Sequence, residues 1–134
     1  MAMRDLRNDR TRRADVREER LRATAGLRSS NTLSSWRGRS GRRYIVGVHP
    51  LVEAEVLDVT DAVILAVRRD EDGIAHVLDV ATAGSHPSQQ ARARWMTRVR
   101  ELGANEMHVH RLAESDVQRR AIVDDLRVDE PQAS

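Results

Sequence analysis

In NEMHVHRL, residues 105–112, His108 and His110 stand one residue apart. Side chains alternate along an extended chain, so both imidazoles project to one face and Met107 and Val109 to the other. Imidazoles so placed can ligate one metal ion, supply a general base, or form the polar side of a half-buried strand. His76 or His49, on other predicted strands, could add a third metal ligand, which makes His108, His110 and His76 the metal candidates. No Glu or Asp stands at a diagnostic distance, as it does in a helical H-E-x-x-H motif. Histidine also titrates near neutral pH, which leaves a protonation-sensitive interface open. In AGSHP, residues 83–87, Ser85 adjoins His86, but neighbouring side chains rarely face one another and no G-x-S-x-G elbow is present. Ser85 therefore reads as a helix-entry hydroxyl. Asp70, Glu71 and Asp72 lack the spacing of an EF-hand loop and read as a solvated hairpin turn.

Several chemistries are excluded by composition. The chain of 134 residues contains no Cys, which removes disulfides, thiolate nucleophiles and Cys-ligated zinc or iron–sulfur sites. All 23 basic residues are Arg, so Schiff-base chemistry and a P-loop lysine are also absent. Exclusive use of Arg suggests the coding bias of a GC-rich bacterial genome. The longest clear apolar run, AVILAV at 62–67, is far too short to span a bilayer, and the basic N-terminus lacks a signal-peptide core. The expectation is a cytoplasmic protein with no membrane association and no cofactor.

Charge divides the chain. Residues 1–43 hold thirteen Arg against five acids, a net of +8, and the remainder holds ten Arg against sixteen acids, a net of −6. Residues 1–42 read as an Arg-rich arm and linker, flexible or partly helical, with i, i+4 pairs at Asp9–Arg13 and Glu18–Arg22 but little apolar surface to bury. SSWRGRSGRR, interrupted by Gly and Ser, reads as a flexible linker. Such an arm attracts polyanions by phosphate contact and counterion release. Arg12, Arg13, Arg17, Arg20, Arg37, Arg39, Arg42 and Arg43 are the contact candidates, with Trp36 available to stack on a base.

The elements that must position these groups follow from pattern. RYIVGVH (43–49) reads as a strand stopped by Pro50, and LVEAEVLDVTD (51–61) as a short helix. AVILAVRR (62–69) and IAHVLDVAT (74–82) form a hairpin across RDEDG. Pro87 opens a helix that carries Ala91, Trp95, Val99 and Leu102 on one side and stops at Gly103. Residues 105–112 alternate as a strand, and Ser115 and Gln118 form a capping box for a last helix ending near Arg127. On that helix Ile122, Val123 and Leu126 are expected to face inward. Arg92, Arg94, Arg98 and Arg100 scatter round the longer helix and form no single groove-reading face. The expected fold is a compact α+β domain over 43–128: two layers, a mostly antiparallel sheet of about four strands and two main helices, with a frayed tail at 129–134.

From Val63 to Leu126 the segments VILAVRRDEDGIAHVLDVATAG, ARARWMTRVREL, NEMHVHRLA and SDVQRRAIVDDL resemble, in order, the hairpin, Arg-bearing helix, strand and final helix of a GIY-YIG nuclease domain. The hairpin has no GIY or YIG tripeptide, and Val123 stands where the family's metal-binding Glu aligns. The resemblance implies a degenerate member that has lost metal-dependent phosphodiester cleavage, and no catalytic residue is carried over.

The sequence thus points to a non-catalytic binding protein whose arm engages nucleic acid or an acidic protein surface. A divergent nuclease or His-ligated metal hydrolase is the enzymatic alternative. A subunit that self-associates through an open sheet face or edge is the third.

Overall fold

The computed structural model describes residues 16–19, 32–84 and 88–128. Nine elements follow one another along these residues. They are strands β1 (Arg17–Glu19), β2 (Thr32–Arg37) and β3 (Arg43–Pro50), helix α1 (Glu53–Asp58), strands β4 (Ala62–Arg69) and β5 (Ala75–Ala83), helix α2 (Gln89–Glu101), strand β6 (Glu106–His110) and helix α3 (Asp116–Leu126). The six strands make one sheet of order β1-β2-β3-β6-β4-β5, antiparallel at every pairing. The fold is therefore α+β, as the pattern implied, with six strands where about four were expected. None of the described helices is long and apolar enough to cross a membrane.

The register of β4 organises the interior. Ala62, Ile64 and Ala66 face one way and pack with Val56, Trp95, Met96, Val99, Met107 and Val109 under α1 and α2. Val63, Leu65 and Val67 face the other way and pack with Trp36, Val46, Val80, Val123 and Leu126. A strand apolar on both faces must be covered on both, and α3 supplies the second cover. The expected two layers become three: α1 and α2, the sheet, then α3. The sheet also curls. Trp36 of β2 shares a cluster with Val67 of β4, and β1 approaches β5 although the two stand at opposite ends of the strand order.

Helix termini follow local chemistry. Ser88 caps α2 by accepting from the Ala91 amide at 3.2 Å, so α2 begins at Gln89. Pro87, expected to open this helix, lies outside the described residues, as do Ser85 and His86. Gly103 adopts φ 108° directly after Leu102, the C-cap of α2, a conformation that glycine tolerates without strain. Ser115 accepts from the Gln118 amide at 3.1 Å, and the Gln118 side chain accepts from the Glu114 amide at 2.6 Å. The reciprocal cap is present but reaches one residue further back than a capping box. On α2, Arg92 donates to the Val56 carbonyl (3.1 Å) and Arg100 to the Leu51 carbonyl (3.0 Å), so two of its four arginines tie α2 to the α1 region.

The arm and linker reading needs correction over the described residues. Arg17–Glu19 is a strand, not part of a helix, and residues 32–37 form a strand paired along its length with β3. Trp36 is 0% exposed and fills the second core cluster, so it is closed to a nucleic-acid base. Burying an indole releases more free energy than a mobile leader could recover by stacking at the surface. Replacing Trp36 by Ala is expected to cost about 3–5 kcal/mol of stability. A chain beginning at residue 43 is expected to melt without a cooperative calorimetric transition. A sharp transition at the full-length temperature would show β1 and β2 to be dispensable.

Candidate nucleic-acid interface and adjoining cavity

β1 and β2 are held in the sheet by a chain of polar contacts that ends on one of the paired histidines. The indole N–H of Trp36 donates to Nδ1 of His108 at 2.9 Å. An indole nitrogen can only donate, so Nδ1 accepts and the ring proton resides on Nε2. That Nε2 lies 2.9 Å from Oε1 of Glu106 and donates to it. Arg69 donates to both Glu106 oxygens, each at 3.0 Å, and on its far side to both Glu18 oxygens at 3.0 and 3.1 Å. Ser34 adds a bond to Glu18 at 2.9 Å. Burial pushes the Glu106 carboxyl up, but the hydrogen bonds from His108 and Arg69 outweigh it and hold the group at about 2. Glu18 is lowered by the same balance, with Arg69 and Ser34 as donors against burial. The hydrogen bonds that Arg69 donates to Glu18 and Glu106 hold its guanidinium above the ordinary value.

The turn between β2 and β3 is anchored on the last turn of α3. Asp125 accepts from the Ser40 amide (2.8 Å), the Ser40 hydroxyl (2.7 Å) and the Tyr44 hydroxyl (2.7 Å). Arg39 donates its amide to the Asp125 carbonyl at 3.0 Å and its guanidinium to the Asp124 carbonyl at 2.5 Å. Burial and the bond to Asp125 push the Tyr44 phenol up to about 12. Asp125 stays below the ordinary carboxylate value because the Ser40 and Tyr44 bonds outweigh its burial. Gly38 packs so closely that an added Cβ would lie 2.1 Å from Asp125 Oδ2. The stretch read as a flexible linker is thus a docked turn.

On the outer face of β1–β3 three arginines line up across neighbouring strands. Arg17 is opposite Arg37, and Arg37 is opposite Arg43. Their side chains are 47%, 40% and 64% exposed. Glu19 is the one carboxylate in ion-pair range among the described residues, at 2.8 Å from Arg43, 3.5 Å from Arg17 and 3.7 Å from Arg37. Like charges directly across a sheet repel, and a single acid leaves the row with a surplus of positive charge. Leu33 and Ile45 stand exposed on the same face.

Round the docked turn, on the inner side of β3, a cavity of about 640 Å3 opens between Tyr44, His110 and α3. Arg42, Leu112, Gln118, Ile122 and Asp124 also line it. Nδ1 of His110 lies 2.8 Å from the Ile45 carbonyl, which can only accept, so Nδ1 carries a proton. With Nδ1 so engaged, the other ring nitrogen, Nε2, has no hydrogen-bond partner among the described residues.

The expected site residues separate accordingly. Arg17, Arg37 and Arg43 come together in the row, and Arg42 joins the cavity. Arg39 is engaged with α3, and Trp36 is buried. Arg12, Arg13 and Arg20 lie outside the described residues. His108 and His110 share a face as their spacing required, but that face is the inside of the curl, with both residues buried. Both nitrogens of His108 are occupied, and His76 pairs with Asp70 at 2.9 Å. No cluster of three or more His, Asp or Glu fit to hold a metal occurs among the described residues. The cavity and the Asp125 anchor were not foreseen; the DD pair at 124–125 near a helix end was their only trace in the sequence. The chain matches no protein-family model, no curated protein and no solved structure.

Two outcomes follow for stability. Folding holds the Glu106 carboxyl below its ordinary 4.5, so its contribution is complete above that pH and disappears as pH falls through about 2. The full shift corresponds to about 3 kcal/mol. Urea midpoints measured from pH 7 to 2 are expected to hold steady to near 5 and then drop, and Glu106→Gln should lower the neutral plateau and flatten the drop. Gly38→Ala is expected to destabilise by about 1–3 kcal/mol, because Asp125 can make room only by giving up Ser40 or Tyr44; an unchanged melting temperature would contradict the anchor.

Proposed function

We propose that this protein is a non-catalytic binding protein that engages the phosphate backbone of a nucleic acid through the outer face of β1–β3. One observation carries the reading: the row Arg17–Arg37–Arg43, opposed among the described residues by Glu19 alone. Adjacent strands lie about 4.8 Å apart, so the row spans a width that a few consecutive phosphates can occupy. Guanidinium groups pair with phosphate oxygens bidentately, and their repulsion across the sheet is relieved when an anion arrives. A fixed row supplies this attraction with less ordering entropy than a leader that must be immobilised on binding. The exposed Leu33 and Ile45 beside the row offer apolar contact to sugars or bases. An acidic protein surface could meet the same row, and the experiment below distinguishes the two.

Fluorescence anisotropy with a labelled single-stranded 20-mer, measured between 50 and 200 mM salt, tests this reading. Affinity is expected to fall steeply with salt. The triple variant Arg17→Gln, Arg37→Gln, Arg43→Gln should bind at least roughly tenfold more weakly, with a salt slope smaller by about 2. Unaltered oligonucleotide affinity in the triple variant would overturn the proposal. Tighter binding to polyglutamate than to the 20-mer would reassign the row to a protein partner.

A further inference from the structure

The cavity on the inner side of β3, on the face opposite the row, is lined in part by groups whose hydrogen-bonding capacity is unused. Asp125 and Tyr44 are committed to each other and to Ser40. His110 Nε2 remains an acceptor, and the Asp124 carboxylate, on the exposed side of α3, makes no hydrogen bond among the described residues; only its backbone carbonyl is used, by Arg39. Arg42 contributes a guanidinium with no hydrogen bond or ion pair among the described residues. Leu112 and Ile122 form an apolar wall, and Leu112 is 66% exposed. The volume of about 640 Å3 lies inside the range of small-ligand sites.

Each simple class of ligand leaves some of these groups unmatched. An organic cation would suit Asp124 but meet repulsion from Arg42. An organic anion without N–H or O–H donors would suit Arg42 but leave Asp124 and His110 unanswered. A nucleotide matches all three features at once. Its base offers N–H donors on one edge and flat apolar faces to the wall, while its phosphate reaches the guanidinium. Guanine, with adjacent N1–H and 2-amino donors, is the base best suited to a carboxylate acceptor. Arg42 and Tyr44 flank Arg43 in sequence, but Arg43 projects to the outer face while Tyr44 lines the cavity on the inner one, so the row and the cavity occupy opposite faces of β3.

We infer that the cavity between Tyr44, His110 and α3 holds one guanine nucleotide, with Asp124 and His110 receiving the base and Arg42 the phosphate. The inference shares with the nucleic-acid reading only the class of ligand: the cavity lies on the face of β3 opposite the row, and its nucleotide is held independently of a strand lying across Arg17, Arg37 and Arg43.

Titration calorimetry of the full chain with GMP, IMP and UMP tests this separately from the row. GMP is expected to saturate a single site. IMP, which lacks the 2-amino donor, and UMP should each bind roughly tenfold or more weakly. Asp124→Asn and Arg42→Gln, both at exposed positions with little bearing on folding, should each weaken GMP by a similar factor, while the triple row variant should bind GMP like the parent. Failure of GMP to saturate the parent, or equal binding of GMP and UMP, would overturn the cavity assignment and leave the row untouched. Saturable, Asp124-dependent GMP binding together with row-independent 20-mer binding would instead retire the polyanion reading and keep the cavity. Tighter binding of benzylamine or benzoate than of GMP would also overturn it.

Discussion

Arg69 is the point on which the architecture turns. It leaves the end of β4 and bonds Glu106 of β6 on one side and Glu18 of β1 on the other. A partly buried guanidinium is tolerable only when most of its donors are satisfied, and a carboxylate so enclosed only when a cation answers it. The three charges therefore fix one another's positions, and with them the curl that brings β1 back towards β5. The chain of bonds runs on through His108 to Trp36, so the largest side chain of the inner core is oriented by the same network that orders the charges. Removing one member leaves its neighbours buried and unmatched, which is costlier than the net worth of any single bond.

That arrangement explains what the sequence disclosed and what it withheld. The hairpin of β4 and β5, helices α1, α2 and α3, and strand β6 all follow apolar periodicity and turn chemistry, and each lies within a few residues of its expected place. AVILAV could be read as buried on both faces because six apolar residues in succession permit little else. β1 and β2 carry no such signature. Ser34 is buried on the inner face and Ser35 on the outer one because their hydroxyls meet Glu18 and the Glu19 carbonyl, and Glu18 sits inside because Arg69 does. A polar strand whose partners lie fifty residues away looks like a linker until those partners are placed. The third layer was missed for a related reason: the inward face of α3 was legible, but the side of the sheet it covers was not.

For the site, residue type was legible and geometry was not. An excess of arginine near the N-terminus pointed to anions, yet pairwise register selects which arginines stand together. Arg17, Arg37 and Arg43 share a row because β1–β2 and β2–β3 pair in a particular frame, and a slip of one residue would send alternate side chains inward. The neighbouring Arg39 is drawn to the end of α3 instead. Likewise the alternation of MHVH placed both histidines on one side, but the surroundings decided their fates. His108 is saturated by Trp36 and Glu106, while His110 keeps a lone pair facing the cavity.

The strand order has a consequence for how this chain assembles. β3 and β4 are consecutive in sequence but never touch in the sheet; β6, made some forty residues after β4, lies between them. Two hairpins, one from residues 32–50 and one from residues 62–83, can form early from local pairing. They remain unjoined until the segment at 106–110 inserts and zips both flanks together. Sequence-distant closure of this kind is slow relative to local pairing. On a ribosome the chain would carry two open sheet edges until the segment at 106–110 had been made and released to pair with both hairpins.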